Sequence, residues 1–167
     1  ILAEVMMVNG KMTEVRKYDS ILGRLALQLN DTALIVNTKN RTGIYLLEQG
    51  RTKEASEFFL SALELKSEKE QSLKTAEIYS NLGSVYMAIS KKDQAAEWFF
   101  KALKLYEKLK SDVGQGETYS NLSSIYYLLG RTDDAIDFQK KSIYFREKQN
   151  DIRGLVIPNI NIGQLYI

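Results

Sequence analysis

The chain repeats itself every 40 residues, and this recurrence restricts the fold more than any other property. Three stretches align without gaps: Tyr79-Ser80-Asn81-Leu82-Gly83-Ser84-Val85-Tyr86, Tyr119-Ser120-Asn121-Leu122-Ser123-Ser124-Ile125-Tyr126, and Asn159-Ile160-Asn161-Ile162-Gly163-Gln164-Leu165-Tyr166. Residues 39–46 are a weaker copy that keeps Gly43 and places Leu46 where the others have Tyr. The remainder of the unit recurs in the same register. Ala55, Ala95 and Ala135 form one ladder, with Val15 at the same phase. Tyr18, Phe58, Trp98 and Phe138 form an aromatic ladder, and Leu25, Leu65, Leu105 and Phe145 a third. Gly10, Gly50 and Gly130 mark a turn, with Ser90 in the remaining slot.

Each unit reads as two helices. In the clearest copy they are expected at about 73–89 and 91–109. Tyr79, Leu82, Gly83 and Tyr86 fall within one arc of a helical wheel, which makes an apolar stripe, and Gly83 leaves room for a neighbouring helix to approach closely. The second helix carries Ala95, Trp98, Phe99, Ala102 and Leu103 at helical spacing. Thr52 and Thr132 are the expected N-caps of second helices, followed by Glu54 or by Asp133 and Asp134 near the positive end of the helix dipole. A single Pro and the turn glycines fit long uninterrupted helices and argue against a turn-rich β fold.

Composition excludes several kinds of chemistry. There is no Cys and no His, so there is no thiolate nucleophile, no disulfide framework, no imidazole metal ligand and no Ser–His triad. Asp133, Asp134 and the glutamates form no paired-carboxylate site, and no Gly-rich phosphate loop is present. No catalytic residue, metal site or cofactor is therefore expected, and the chain is read as a non-enzyme. A formal charge of +2 gives no footprint for nucleic acid, and Lys91-Lys92 and Lys140-Lys141 are expected on solvated helix surface. No apolar run approaches the ~18 residues of a membrane span. The lack of Cys fits cytoplasm and periplasm alike.

The run Tyr79-x2-Leu82-Gly83-x2-Tyr86, then Ala95-x3-Phe99, follows the tetratricopeptide signature of an aromatic, Leu-Gly, Tyr, then Ala and Phe. The chain resembles a tetratricopeptide repeat protein over nearly its whole length. It departs from the pattern in lacking the terminal Pro, near Glu107 and Glu147, and in its 40-residue period. That period is similar to the longer-helix branch that includes kinesin light chain, spindle-orientation adaptors and peptide-sensing Bacillus regulators. The implied fold is all-α, an alpha-alpha superhelix of antiparallel helix pairs forming one solenoid over 1–167. The expected units are a degenerate repeat at 1–36, repeats at 37–76, 77–116 and 117–156, and a first helix beginning the next repeat at 157–167.

The resemblance implies a concave wall built from the first helix of each pair. The wheel places Asn81 opposite the packing stripe, with Glu77, Ser80, Ser84 and Met87 on the same broad face. The next copy supplies Glu117, Ser120, Asn121, Ser124 and Tyr127, and the earlier copy Asn37, Asn40, Arg41, Ile44 and Leu47. Asn81, Asn121 and Asn161, with Arg41 at the same phase, form a ladder of amides. An amide offers two donors and an acceptor, so such a row can grip the backbone of an extended peptide whatever its sequence. In the resembling branch, Asn at this phase holds peptides. The alternative reading is that these side chains only bond the neighbouring helix or are solvated. Other family members clamp a chaperone C-terminus with Lys, Asn and Arg. This chain has Asn40, Ile44, Asn81, Glu117 and Asn121 at those phases, and Glu117 would repel a carboxylate.

The leading expectation is a non-catalytic module that binds a protein or an extended peptide. The alternative is a sensor or dimerisation segment of a larger bacterial signalling protein, such as a transcriptional regulator or sensor histidine kinase. Two features motivate it: an opening Ile1 in place of Met, and a last helix whose apolar residues Ile157, Ile160, Ile162, Leu165 and Tyr166 need a cover. Self-association through that helix is one expected way to supply it.

Overall fold

The structure, a computed structural model, describes residues 12–66 and 71–150, and for residues 12–20 the backbone alone. The described residues form seven α-helices and no strand: α1 Met12–Leu29, α2 Thr32–Glu48, α3 Thr52–Glu64, α4 Leu73–Ala88, α5 Lys92–Lys108, α6 Asp112–Leu128 and α7 Thr132–Lys148. The fold is all-α and built from helix pairs, and the helices expected at 73–89 and 91–109 are α4 and α5. Gly10, Asn161, the helix expected at the chain's end, and the side chains of Val15 and Tyr18 lie outside the described residues. The chain divides into two compact units, Ile1–Glu68 and Lys69–Ile167.

The joints share one geometry. Asn30, Gly50, Ser90, Lys110, Gly130 and Asn150 all have positive φ, between 50° and 75°. At Ser90, for example, the Ser90 N–H donates to the Met87 carbonyl and the Lys91 N–H to the Tyr86 carbonyl, each at 2.9 Å. A left-handed residue of this kind turns the chain while satisfying the last carbonyls of the helix. Gly50 and Gly130 adopt this conformation without a Cβ penalty.

Helix starts fall into two kinds. α2, α4 and α6, the first helices of their pairs, are capped by Asp31, Ser72 and Ser111, whose side-chain oxygens accept from the N–H groups of Leu34, Thr75 and Gly114. The second helices follow Arg51, Lys91 and Arg131, none of which makes a side-chain cap. Thr52 and Thr132, expected as N-caps, are instead the first helical residues. The turn at Gly50 and Gly130 uses up one more residue than the sequence pattern suggests, and an arginine occupies the cap. Arg51 Nε donates to Glu54 Oε1 at 2.7 Å, and Arg131 Nε to Asp134 Oδ2 at 2.7 Å.

In the first unit α2 packs on both α1 and α3. Its core holds Ala26, Val36, Leu46, Ala55, Phe59 and Ala62, all at most 5% exposed. The Phe59 ring lies against Gly43, where a Cβ would come within 2.5 Å of it. Leu25 and Leu65, two rungs of the third ladder, are exposed at 42% and 40%.

In the second unit α4 packs on α5, α5 on α6 and α6 on α7, while α4 and α6 also touch directly. Phe99, Leu103, Tyr119, Leu122 and Ile125 join Ala95 and Ala96 in one core cluster, and Ala76, Ala102, Leu105 and Tyr106 form another. Gly83 does admit a close neighbour, but that neighbour is a ring. A Cβ at Gly83 would sit 2.8 Å from the Phe99 side chain. The ladder residues Trp98 and Phe138 are half-buried and bridge helices: Trp98 lies 5.6 Å from Tyr79 and 6.4 Å from Tyr86, and Phe138 lies 4.9 Å from Tyr126, between ring centroids.

Candidate peptide-binding face

In the second unit, the outward face of α4 carries Glu77, Ser80, Asn81, Ser84 and Met87, and that of α6 carries Glu117, Ser120, Asn121, Ser124 and Tyr127. The two copies differ in exposure. All five α4 residues are half-buried, whereas Glu117, Asn121, Ser124 and Tyr127 are exposed and Ser120 is half-buried. Tyr127 stands 53% clear of its neighbours. Met87, expected to receive an apolar side chain, packs in part against the Phe99 and Tyr119 cluster. Ser84 and Ser124 donate to the carbonyls of Ser80 and Ser120, each at 3.2 Å, so their hydroxyls fold back on the helix and keep the surface low.

The same face has a floor that sequence patterning did not identify. Tyr106, from α5, lies between α4 and α6 and is 6% exposed. Its ring occupies the space that a Cβ on Gly114 would need. Its hydroxyl meets the Ser80 hydroxyl and sits close enough to the Glu77 and Glu117 carboxylates to feel both. Burial is the main reason its pKa is pushed up to about 12; the Ser80 hydrogen bond opposes the shift, and the two carboxylates add to it. Tyr119 is raised as well, by burial first and then by Glu107, whose carboxylate accepts from its hydroxyl at 3.2 Å. Glu77 is also bonded to Lys74 within α4. The positions that line up with Tyr106 are Lys66 and Arg146, so no ladder marks it.

This floor has a consequence in alkali. An unfolded chain gives up the Tyr106 proton near pH 10, while the folded one holds it to about 12. The stabilisation is complete below pH 10 and is lost as pH rises through about 12. Between pH 9 and about 11.5, urea denaturation of the wild type should show a fall about 2 kcal/mol larger than that of Tyr106→Phe. Equal falls in the two proteins would place the hydroxyl in water.

In the first unit the corresponding residues diverge. Asn37 is exposed, and Arg41, Ile44 and Leu47 are half-buried. Asn40 is 3% exposed. It faces the interior and does not present its amide to a ligand, because the wheel arc assigned to this face reaches into the seam that α2 shares with its neighbours. Arg41 has its Nε and one terminal nitrogen buried, so only part of the guanidinium is presented. The structure therefore gathers the Asn81 and Asn121 copies on adjoining helices of one unit and leaves the Arg41 copy in the other. Among the described residues no group of acidic side chains could hold a metal ion, and no helix is long and apolar enough to cross a membrane.

The tetratricopeptide repeat model matches residues 34–108 and 74–148. Among solved structures, BtubC (BKLC) from P. vanneervenii is 23% identical, with a TM-score of 0.84 over 99% of this chain and 69% of that one. Aspartyl phosphate phosphatase F from Bacillus subtilis is 16% identical, with a TM-score of 0.83 over 98% of this chain and 43% of that one. A putative kinesin light chain from Podospora anserina, with nearly identical TPR-like repeats, is 13% identical, with a TM-score of 0.75 over 99% of this chain and 82% of that one. No curated protein sequence matches the chain significantly.

Proposed function

The chain belongs to the tetratricopeptide repeat family, a fold that serves protein interaction, and we propose that it is a non-catalytic scaffold that holds an extended peptide on the α4–α6 face of its second unit. The observation that carries this reading is Asn121. Its amide is exposed, one repeat along from Asn81 on a helix that touches α4, with the small Ser120 and Ser124 beside it and Tyr127 at one end. An amide in that setting can bond the N–H and C=O groups of a peptide backbone. Tyr127 supplies flat apolar area for a side chain at small entropic cost. The two carboxylates Glu77 and Glu117 oppose a ligand that ends in a free carboxylate, which disfavours the chaperone-tail mode.

The test is peptide capture from a displayed library of extended segments, followed by affinity measurement. Asn81→Ala with Asn121→Ala should abolish binding, and Asn121→Ala, at the exposed position, should weaken it while leaving the melting temperature within a few degrees, since substitutions at exposed sites change stability by about 0.5 kcal/mol or less. Undiminished binding by the double variant would remove the amides from the mechanism.

A second reading is supported by the likeness to aspartyl phosphate phosphatase F and to a STAND protein with a tetratricopeptide repeat sensor from Pyrococcus horikoshii, of which this chain spans 43% and 24%. In that reading the chain is the sensing or dimerising segment of a longer signalling protein. Light scattering separates the two: a strict monomer at high concentration argues against dimerisation.

A further inference from the structure

The three helix pairs carry the same interior positions, yet one of them is filled differently. At the contact between helices, the α2–α3 pair has Gly43, Phe59 and Ala62, and the α4–α5 pair has Gly83, Phe99 and Ala102. The corresponding residues of α6–α7 are Ser123, Gln139 and Ser142. All three are buried, Ser123 at 3% exposure and the other two at 0%. The two serines are satisfied across the pair. Ser123 donates to the Ala135 carbonyl at 2.8 Å, and Ser142 to the Gly116 carbonyl at 2.7 Å. Gln139 is not: both its Oε1 and its Nε2 are buried with no hydrogen-bond partner.

The substitutions depend on one another. A Cβ at Gly83 would overlap the Phe99 ring at 2.8 Å, and one at Gly43 would overlap Phe59 at 2.5 Å. Ser123 has that Cβ, so a phenyl ring has no seat at position 139, and the slimmer Gln takes its place. The pair thereby forgoes the apolar burial that a ring supplies, and it carries a buried amide that no other protein group bonds. Parting the helices relieves the second of these and has no buried ring at position 139 to expose. The serine bonds are exchanged for water at small net cost, and the Gln139 amide gains partners it lacks when the pair is closed.

We propose that α6–α7 is a conformational gate in the second unit, a hairpin that opens while α4–α5 stays folded. Local opening of this kind is expected where a repeat is less stable than its neighbour, because stability in such a fold is a sum over pairs and the interfaces between them; the α5–α6 interface, with Phe99, Leu103, Leu122 and Ile125 in one cluster, sets the cost of opening. Asn121, Ser124 and Tyr127 ride on α6, so the face described above is complete only in the closed state. A ligand spanning α4 and α6 would hold the gate shut.

Native-state hydrogen exchange on the whole chain tests this. In low denaturant, the amides of α6 and α7 should exchange through an opening that leaves α4 and α5 protected. Ser123→Gly combined with Gln139→Phe rebuilds the seat found in the other pairs, and it should slow opening of α6–α7 by about tenfold or more, with α4–α5 unmoved. Gln139→Leu, which removes the amide without needing the glycine, should act in the same direction. Gln139→Phe alone should speed opening, since its ring meets Ser123. One cooperative exchange step for all four helices would overturn the proposal. So would protection of α6–α7 that is unchanged in both the Ser123→Gly/Gln139→Phe and the Gln139→Leu proteins, since ordinary fraying at the end of a helix is indifferent to them.

Discussion

Phe99→Ala should lower the stability of the second unit by about 3–5 kcal/mol. The ring is 1% exposed and lies on Gly83, with Leu103, Leu122 and Ile125 in the same cluster. Two costs add. The apolar surface of the ring is lost, and the hole it leaves cannot collapse, because the glycine beneath it has no side chain to move in. A shift of the urea midpoint with an unchanged slope is the measurement that checks it. Phe100→Ala, one residue along and 39% exposed, is the control and should cost far less. If the two substitutions cost the same, Phe99 does not anchor the pair.

Gly114→Ala is the second large effect, and its sign is opposite to what helix propensity alone gives. Within a helix, Ala is better than Gly by about 1 kcal/mol. Gly114 lies in the first turn of α6, and a Cβ there would run into the Tyr106 ring. That ring cannot retreat without giving up the Ser80 hydroxyl and its place in the cluster with Ala76, Ala102 and Leu105. Overpacking of this kind costs about 1–3 kcal/mol and should win, leaving a net loss. Gly23→Ala makes the opposite case. Its Cβ would meet only the Thr38 Cγ2, at 3.4 Å, so the propensity gain should survive. Paired thermal melts check both, and stabilisation by Gly114→Ala would show that Tyr106 is free to move.

What could be read from the sequence was whatever recurs. The ladders located the helices α4 and α5 to within a residue or so, the positive-φ turns at Gly50, Ser90 and Gly130, and the class of fold, because each depends on a pattern repeated at a fixed interval. The arrangement of the candidate face was legible in part. Asn81 and Asn121 could be assigned to one face by the wheel, but Asn40, at a neighbouring phase of the earlier copy, is buried. A wheel gives an angle and not the depth of the neighbouring helix. Two features were illegible for a common reason. Tyr106 against Gly114, and Gln139 against Ser123, are complementary pairs that occur once, and a search for repetition passes over them. Phe58, Trp98 and Phe138 recur conspicuously but are half-buried, while Phe59 and Phe99, each one residue past a member of that ladder, are the rings that fill the interior.

The left-handed residues at Asn30, Gly50, Ser90, Lys110, Gly130 and Asn150 are separated by multiples of 20 residues, with one helix between neighbours 20 apart and two, α3 and α4, between Gly50 and Ser90. A spacing so regular ties the packing to the length of each helix. One residue inserted within a helix would rotate the side chains that follow it in that helix by about 100° and turn part of its interior face outward. A hairpin copied or deleted entire would leave all the others in phase. Gain or loss of a complete hairpin is then the change in length that such a fold accommodates best.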